Sequence, residues 1–283
     1  MRRPFAGLAL ALSALLPGAS LSVASMSVAA PASAQPMAEP AAAQPVPDGP
    51  AKAFLVADLD TGRVLASRDP YGTYAPASTI KVLLAMTVLD HLRPDNWARA
   101  NDSHTKVECS CVGLEPGQAY TVSQLVSAIL MVSGNDAANM LADMLGGQPA
   151  AVAAMNRKAA LVGARSTKAS SPSGLDGPGW ESVTTPHDLA VIMRAALKNP
   201  LIAQIMRSPS APFPGKTLHN QNELLTRYPG DLGGKTGFTN LARKTYVGAA
   251  QRGNRRLVVV QMYGSGDLYG QAISLLDYGF GQP

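Results

Sequence analysis

The segment PASTIKVLLAMTVLDHL, residues 76–92, joins a short polar start to an almost continuous apolar run. Ser78 stands where a helix would open, and residues 82–92 are apolar on most faces of that helix. A helix that is hydrophobic all round is buried. Pro94 ends the pattern, because proline cannot continue a helix. The sequence therefore predicts a buried helix that starts at Ser78.

The patterns on either side of this helix differ between the ends and the middle of the chain. Before it, two short apolar runs flank Asp60, Thr61 and Gly62, which is typical of a β-hairpin. After it, helical patterns cover residues 121–131, 136–145, 150–161, 185–197 and 268–278. Strand patterns cover residues 233–239, 245–251 and 256–263. This order predicts an α+β fold, in which an antiparallel sheet built from both chain ends is flanked by helices and an all-helical region is inserted.

Three short motifs occur in order along this frame. Residues 78–81 read STIK, residues 133–135 read SGN and residues 235–237 read KTG. Residues 103–106, SHTK, form a second S-x-x-K, but they lie in a polar stretch with no helical pattern. The helix that begins at Ser78 places Lys81 one turn on and on the same face. We therefore take the first copy as the candidate site.

These residue types suit nucleophilic catalysis. A serine hydroxyl is a weak nucleophile until a base removes its proton. Lys81 can be that base only when neutral, which requires burial or a nearby cation such as Lys235. A strand over the KTG motif puts Lys235 and Gly237 on one face, and Gly237 lets a substrate backbone come close.

Each motif also has a purely structural interpretation. Ser78 could be a helix N-cap and Lys81 a surface lysine, Ser133 could cap the next helix, and the KTG motif could be a strand end. All three motifs in order, each in a fitting helix or strand context, favour the catalytic interpretation.

Longer strings around the motifs resemble the serine D-alanyl-D-alanine carboxypeptidases, which are low-molecular-mass penicillin-binding proteins of the peptidase S11 type. The strings are PASTIK (76–81), MVSGNDAAN (131–139), SGLDGPG (173–179), TTPHDLA (184–190) and GGKTGFTN (233–240). The resemblance runs from about Ala51 to Phe280. It implies the transpeptidase fold shared by penicillin-binding proteins and β-lactamases. It also implies removal of the terminal D-alanine from peptidoglycan stem pentapeptides, with β-lactams as covalent inhibitors and without a cofactor or metal.

The resemblance also implies roles for individual residues. Ser78 would be the acylated nucleophile, Lys81 its general base, and Ser133 a proton relay toward the leaving D-alanine. Asn135 would hold the substrate's amide carbonyl, and Lys235 would polarise Ser133 and attract the substrate carboxylate. The remaining contacts would come from the hydroxyls of Thr236 and Thr239, from Gly237, and from the oxyanion-hole N–H groups of Ser78 and Phe238.

The chain departs from its relatives near the C-terminus. Relatives often place an arginine after the last strand that helps to bind the substrate carboxylate, but residues 263–283 contain no lysine or arginine. Arg243 or Lys244 could replace it, or Lys235 and the threonines could suffice. Many relatives also carry a C-terminal β domain and an amphipathic anchor. Because this chain ends just after the last predicted helix, we expect a single catalytic module with at most loose envelope association, acting as a monomer.

Cys109 and Cys111 are the only cysteines. In an exported chain they could form a disulfide, although so close a pair could be strained, and free thiols remain the alternative. Two cysteines and four scattered histidines offer no plausible metal site.

Two alternative functions remain open. A secreted class A-like β-lactamase would share the fold, but such enzymes use a glutamate in a Glu-x-x-Asn loop, and residues 181–184 read ESVT. A catalytically inactive peptidoglycan-binding protein would also share the fold. The complete set of candidate side chains argues against this second alternative.

Composition and charge bound the remaining possibilities. The chain has 283 residues and is 46% hydrophobic and 15% charged, which suits a folded domain with a sizeable core. Residues 1–34 predict a signal peptide, with Arg2 and Arg3, an apolar run and the small-residue site ASA at 32–34. Its removal would lower the formal net charge from +5 to +3, which gives no case for nucleic-acid binding. An Ala/Pro-rich linker would follow over residues 35–50, and the serine DD-carboxypeptidase domain would span residues 51–283 of an exported, extracytoplasmic protein.

Overall fold

The computed structural model describes residues 45–283. The predicted signal peptide, residues 1–34, and most of the predicted linker, residues 35–50, lie outside the described residues. Residues 45–50 carry no helix or strand, and the first strand begins at Ala51.

The described residues form nine strands, nine α-helices and one 3₁₀ turn, Ala77–Ile80. The strands are β1 Ala51–Asp58, β2 Val64–Arg68, β3 Trp97–Arg99, β4 Ala119–Thr121, β5 Ser210–Phe213, β6 Lys216–His219, β7 Asp231–Thr239, β8 Arg243–Arg252 and β9 Arg255–Gly264. The helices are α1 Lys81–His91, α2 Asp102–Thr105, α3 Val122–Met131, α4 Asn135–Met144, α5 Gln148–Val162, α6 Pro186–Ala196, α7 Pro200–Arg207, α8 Leu224–Arg227 and α9 Leu268–Gly281.

The main sheet has five antiparallel strands in the order β2-β1-β9-β8-β7. Its centre joins the two ends of the chain, because β1 pairs with β9 from Ala51 opposite Gly264 to Asp58 opposite Leu257. The predicted α+β fold is confirmed. Strand β7, which carries the KTG motif, forms one edge of the sheet.

Both faces of the sheet are covered, and successive strand residues alternate between them. Along β1, Leu55 and Ala57 join the large core shared with α1, α3, α4 and α6. Phe54 and Val56 join a smaller core under α9. The sheet is therefore the middle layer of the described residues. Its buried strands carry apolar side chains on both faces.

The central helix begins differently from the prediction. A single helix was expected from Ser78, but Ser78 lies in the 3₁₀ turn and α1 starts at Lys81. Side chains three residues apart lie above one another in a 3₁₀ turn, so Ser78 and Lys81 still share a face. Helix α1 is buried over its first eight residues, Lys81–Val88, as its apolar sequence predicts.

Two other expectations can be checked at helix starts. Thr121 is confirmed as an N-cap, because its hydroxyl accepts the Gln124 N–H at 3.2 Å. The polar stretch around the second S-x-x-K was expected not to be helical, and this was wrong. It forms the short helix α2, because the Asn101 side chain caps it by accepting the Ser103 N–H at 2.9 Å.

The 3₁₀ turn is held against β7 and β8. The buried Thr245 hydroxyl of β8 donates to the Pro76 carbonyl at 2.9 Å. Gly237 of β7 lies so close that a Cβ on it would be 2.8 Å from the Ser78 nitrogen. A side chain at this position would push the nucleophile away from the strand.

Within residues 45–283, no single helix is long and apolar enough to cross a membrane, and the one helix pair that reaches that length, α6 with α7, is bent by 107°.

Gly174 supports the same turn from the other side, and its replacement tests how tightly the turn is held. Its φ is +83°, and a Cβ there would lie 2.0 Å from the Ala77 carbonyl oxygen. We expect Gly174→Ala to lower the free energy of unfolding by at least about 2 kcal/mol in denaturant titrations, because a backbone collision adds to the left-handed strain.

Gly179 supplies the matched control, because its φ is +80° and nothing lies within 4 Å of its Cβ position. Gly179→Ala should cost only about 1 kcal/mol. Equal losses in the two variants would show that the close approach of Gly174 to Ala77 does not stabilise the fold.

Candidate active site

The Lys81 amine lies at the centre of the candidate site and is completely buried. Its Nζ lies 2.7 Å from each of three oxygens, which are Ser78 Oγ, Asn135 Oδ1 and the Ser173 carbonyl. Ser133 Oγ lies further away, at 3.5 Å. Burial, with the nearby Lys235 ammonium as a second cause, holds the pKa of Lys81 well below its ordinary value.

This geometry fits a neutral amine. A neutral lysine has two N–H donors and one lone pair. The carbonyl oxygens of Asn135 and Ser173 can only accept, so they take the two N–H groups. The lone pair then faces Ser78 Oγ and can accept its hydroxyl proton. The arrangement can therefore activate the serine, provided that the lysine is deprotonated.

A cavity of about 650 Å³ opens above Ser78. It lies between the helical region and the edge strand β7. Its lining includes the predicted site residues Ser78, Ser133, Asn135, Thr236, Gly237 and Phe238. Ser133 has a φ of 61°, an uncommon conformation for serine that turns the chain between α3 and α4.

Strand β7 contributes the second buried lysine. Lys235 is only 2% exposed, and its Nζ donates to the Thr236 carbonyl at 2.7 Å. Burial lowers its pKa to about 7. Strand alternation puts Lys235 on the face toward the 3₁₀ turn and the Thr236 side chain on the other face. Phe238, two residues beyond Thr236, is 60% exposed at the rim.

Asn135 is fixed by backbone atoms of the loop that precedes β4. Its backbone N–H donates to the Ser110 carbonyl at 2.6 Å, and its Nδ2 donates to the Glu108 carbonyl at 2.7 Å. Because Glu108 offers only an acceptor, the amide orientation is defined, with Oδ1 toward Lys81. One N–H of Nδ2 remains for a substrate.

The neighbouring Asp136 anchors the same loop. Its buried carboxylate accepts the N–H groups of Val112, Gly113 and Leu114 at 2.8 to 2.9 Å. Cys109 and Cys111 are joined in a disulfide and enclose Ser110, whose carbonyl binds Asn135. We call residues 108–114 the cleft loop. Cys109 and Ser110 line the cavity, so the cleft loop is one wall of it.

One predicted substrate residue is engaged elsewhere. The Thr239 hydroxyl donates to Asp176 Oδ2 at 2.6 Å and accepts the Ala242 N–H at 3.0 Å. Thr239 is also absent from the cavity lining. Its expected role as a hydroxyl donor to substrate stays a prediction; in this structure Thr239 ties the loop of residues 170–179 to the end of β7, and Thr236 lines the cavity.

Sequence reasoning did not assign Ser173, Asp136 or Thr245 to the site. Ser173 and Asp136 stand inside the quoted strings SGLDGPG and MVSGNDAAN, so a signal for them was present. Their contributions rest on a backbone carbonyl and on loop amides, and these contacts are visible only in three dimensions.

The serine with its buried lysine, in a cleft beside the edge strand of an antiparallel sheet, defines a serine hydrolase of the penicillin-binding class. The chain matches the family model of peptidase S11, D-alanyl-D-alanine carboxypeptidase, over residues 39–266. It therefore belongs to the S11 family of D-alanyl-D-alanine carboxypeptidases, and the predicted family and enzyme class are confirmed.

Named relatives agree with this assignment. D-alanyl-D-alanine carboxypeptidase DacB2 of Mycobacterium tuberculosis is 57% identical over 244 residues, which cover 83% of this chain and 84% of DacB2. D-alanyl-D-alanine carboxypeptidase DacF of Bacillus subtilis is 30% identical, and the match covers 82% of this chain but 62% of DacF.

Solved structures agree as well. A crystal structure of D-alanyl-D-alanine carboxypeptidase from Mycobacterium tuberculosis has a TM-score of 0.84 at 55% identity, covering 87% of this chain and 96% of that one. Penicillin-binding protein D2 of Listeria monocytogenes, solved in an ampicillin-bound form, has a TM-score of 0.75 at 28% identity, covering 84% of this chain and all of that one.

The cleft loop suggests a test of how Asn135 is held. In the Cys109→Ser/Cys111→Ser double variant the loop is no longer closed around Ser110, so the Asn135 N–H should break its bond to the Ser110 carbonyl more often. We expect amide hydrogen exchange at Asn135 to speed up about tenfold or more by mass spectrometry, which corresponds to a loss of about 1.4 kcal/mol of local stability.

The amides of α6 serve as the internal control and should exchange as in the parent protein. Unchanged exchange at Asn135 would mean that the Asp136 carboxylate holds the loop without help from the disulfide. Faster exchange everywhere would mean a loss of global stability.

Proposed function

We propose that this protein is an exported serine-type D-Ala-D-Ala carboxypeptidase that removes the terminal D-alanine from peptidoglycan stem pentapeptides. The observation that carries the proposal is the 2.7 Å contact between Ser78 Oγ and the buried Lys81 amine. The family assignment supports the reaction class, and the ampicillin-bound relative supports β-lactams as inhibitors.

In the first step the Ser78 hydroxyl proton passes to neutral Lys81, and Oγ attacks the carbonyl carbon of the penultimate D-alanine. The N–H groups of Ser78 and Phe238 are our candidates for the oxyanion hole, since Gly237 brings this part of β7 against Ser78. The peptide bond then breaks as Ser133 gives its hydroxyl proton to the leaving amine of D-alanine and takes back from Lys81 the proton that came from Ser78.

In the second step water attacks the ester on Ser78, which releases the shortened stem peptide and restores the hydroxyl. Asn135 would hold the substrate amide through its remaining N–H, and Lys235 would polarise Ser133. The chemistry requires a neutral Lys81, and the surroundings of its amine favour that form.

The geometry does not favour the β-lactamase alternative. Glu181, the glutamate of the corresponding loop, is exposed and absent from the cavity lining. Its carboxylate accepts the Gly179 N–H at 3.3 Å. A deacylating glutamate would have to reach a water beside the acyl-enzyme.

Mass spectrometry of the intact protein mixed with benzylpenicillin tests this function. We expect a lasting adduct of one penicillin mass that maps to Ser78, together with release of D-alanine from a peptide ending in D-Ala-D-Ala. Ser78→Ala should lose both while keeping its melting temperature, because Ser78 is only half-buried and lines the cavity.

The other outcomes are equally specific. Rapid drug hydrolysis without an adduct would indicate a β-lactamase, and tight binding of stem peptide without acylation would indicate an inactive binding protein. An adduct that persists in Ser78→Ala would overturn the assignment of the nucleophile.

The dependence of kcat/KM on pH should reflect the protonation states of Lys81 and Lys235. The reaction needs a neutral Lys81 and a charged Lys235. With increasing pH, kcat/KM should therefore rise as Lys81 loses its proton and fall as Lys235 loses its own. The falling limb should centre near pH 7, where the free enzyme's Lys235 titrates. In Lys235→Arg this limb should move above pH 9, because arginine stays protonated.

Lys168→Arg supplies the control, since Lys168 is exposed and absent from the cavity lining. Its profile should match that of the parent protein. An alkaline limb that stays near pH 7 in Lys235→Arg would assign that titration to another group.

A further inference from the structure

The terminal carboxylate of the substrate needs a positive partner, and the sequence left that partner open. The question rests on the proposed function, because a carboxypeptidase substrate carries a free carboxylate one residue beyond the bond that is cut. That carboxylate lies about 3.8 Å, one residue step, from the carbonyl attacked by Ser78. Its partner must therefore line the same cavity as the nucleophile.

The cavity extends from Ser78 past Thr236 to the loop before α9. Its far end is lined by Gly266, Asp267, Leu268 and Tyr269. The Thr236 hydroxyl faces this part, and no protein partner for it occurs among the described residues. This leaves one uncommitted hydroxyl in a recess next to the nucleophile.

Lys244 borders that recess. It is exposed, lines the cavity, and pairs with Phe238 across the β7–β8 ladder. Strand alternation puts its side chain on the same face as that of Thr236. Its Nζ donates to the Gly266 carbonyl at 2.7 Å, which fixes the stem and leaves two N–H donors free.

The strand register puts the backbone of Lys244 close to the part of β7 that contacts Ser78. Gly237 touches the Ser78 backbone, Phe238 follows it, and Lys244 is the cross-strand partner of Phe238. These steps of about 3.8 and 5 Å place the Lys244 Cα within about 9 Å of the Gly237 Cα. The Lys244 side chain leaves the sheet on the same face as that of Thr236, so its amine reaches the part of the cavity that the Thr236 hydroxyl faces.

The other charges around the cavity leave Lys244 as the attracting group. Among the described residues, the charged lining residues are Glu108, Glu223, Lys244 and Asp267, so Lys244 is the one cation of the lining. Glu223 and Asp267 both pair with Arg227, at 2.9 and 3.6 Å, which offsets their repulsion of an anion.

The other candidate cations are less suited. Lys235 is buried and bonds the Thr236 carbonyl, and a pKa of about 7 leaves it charged only part of the time at neutral pH. Arg243, next to Lys244, is exposed but does not line the cavity.

We propose that Lys244, together with the Thr236 hydroxyl, binds the terminal carboxylate of the substrate and sets the enzyme's preference for a free C-terminus.

Paired substrates test this assignment in the full-length protein. One is an acyl tripeptide ending in D-Ala-D-Ala, and the other ends in D-alaninamide, which lacks the charge. The parent protein should show at least tenfold higher kcat/KM for the acid. Lys244→Met, which keeps the length of the side chain without its charge, should lose about tenfold or more on the acid and less than about twofold on the amide.

Two variants make the comparison specific. Lys244→Arg should retain the preference for the acid, and Arg243→Met, which removes the neighbouring exposed cation, should leave the ratio unchanged. Added salt should weaken cleavage of the acid by the parent protein but not by Lys244→Met, since an exposed charge pair is screened.

The outcomes separate this inference from the proposed function. An unchanged acid-to-amide ratio in Lys244→Met would overturn the role of Lys244, while normal D-alanine release by that variant would leave the proposed function intact. An equal loss on both substrates would also overturn it, because the effect would not depend on the carboxylate. Failure of the parent protein to cleave either peptide would overturn the proposed function itself.

Discussion

The buried amine of Lys81 is the constraint around which the site is arranged. A lysine without solvent needs fixed acceptors, and two of them come from distant parts of the chain, Asn135 and Ser173. Each acceptor is in turn held by its own loop. The surroundings that lower the pKa of Lys81 therefore also bring together the separate segments that carry the nucleophile, the S-x-N turn and the loop of residues 170–179.

The support around these segments is mostly main chain. The cleft loop binds Asn135 through two carbonyls and is bound by Asp136 through three N–H groups. Gly174 and Gly237 press backbone directly against the 3₁₀ turn that carries Ser78. Backbone contacts of this kind leave little room for the nucleophile to move, which suits a reaction that needs exact placement of a few atoms.

The long helices and strands and the three motifs could be predicted from the sequence. The short helices and strands between them could not. The apolar runs of α1, β8 and β9 carry strong signals because each extends over many residues. Helix α2 and the hairpin of β5 and β6 have only four residues per element, too few for a period to show. The bond of Thr239 to Asp176 could not be predicted, because the two residues are distant in sequence and no local pattern reveals such a bond.

The pairing of β1 with β9 has a consequence for how the molecule assembles. The first strand finds its central partner only when the last strand has been made, so the sheet has a high contact order and forms late. Until then Ser78 and Lys81 have no strand β7 beside them. A truncated or half-synthesised chain thus holds the nucleophile and its base without the wall that completes the cavity, and the complete site arises only together with the folded whole.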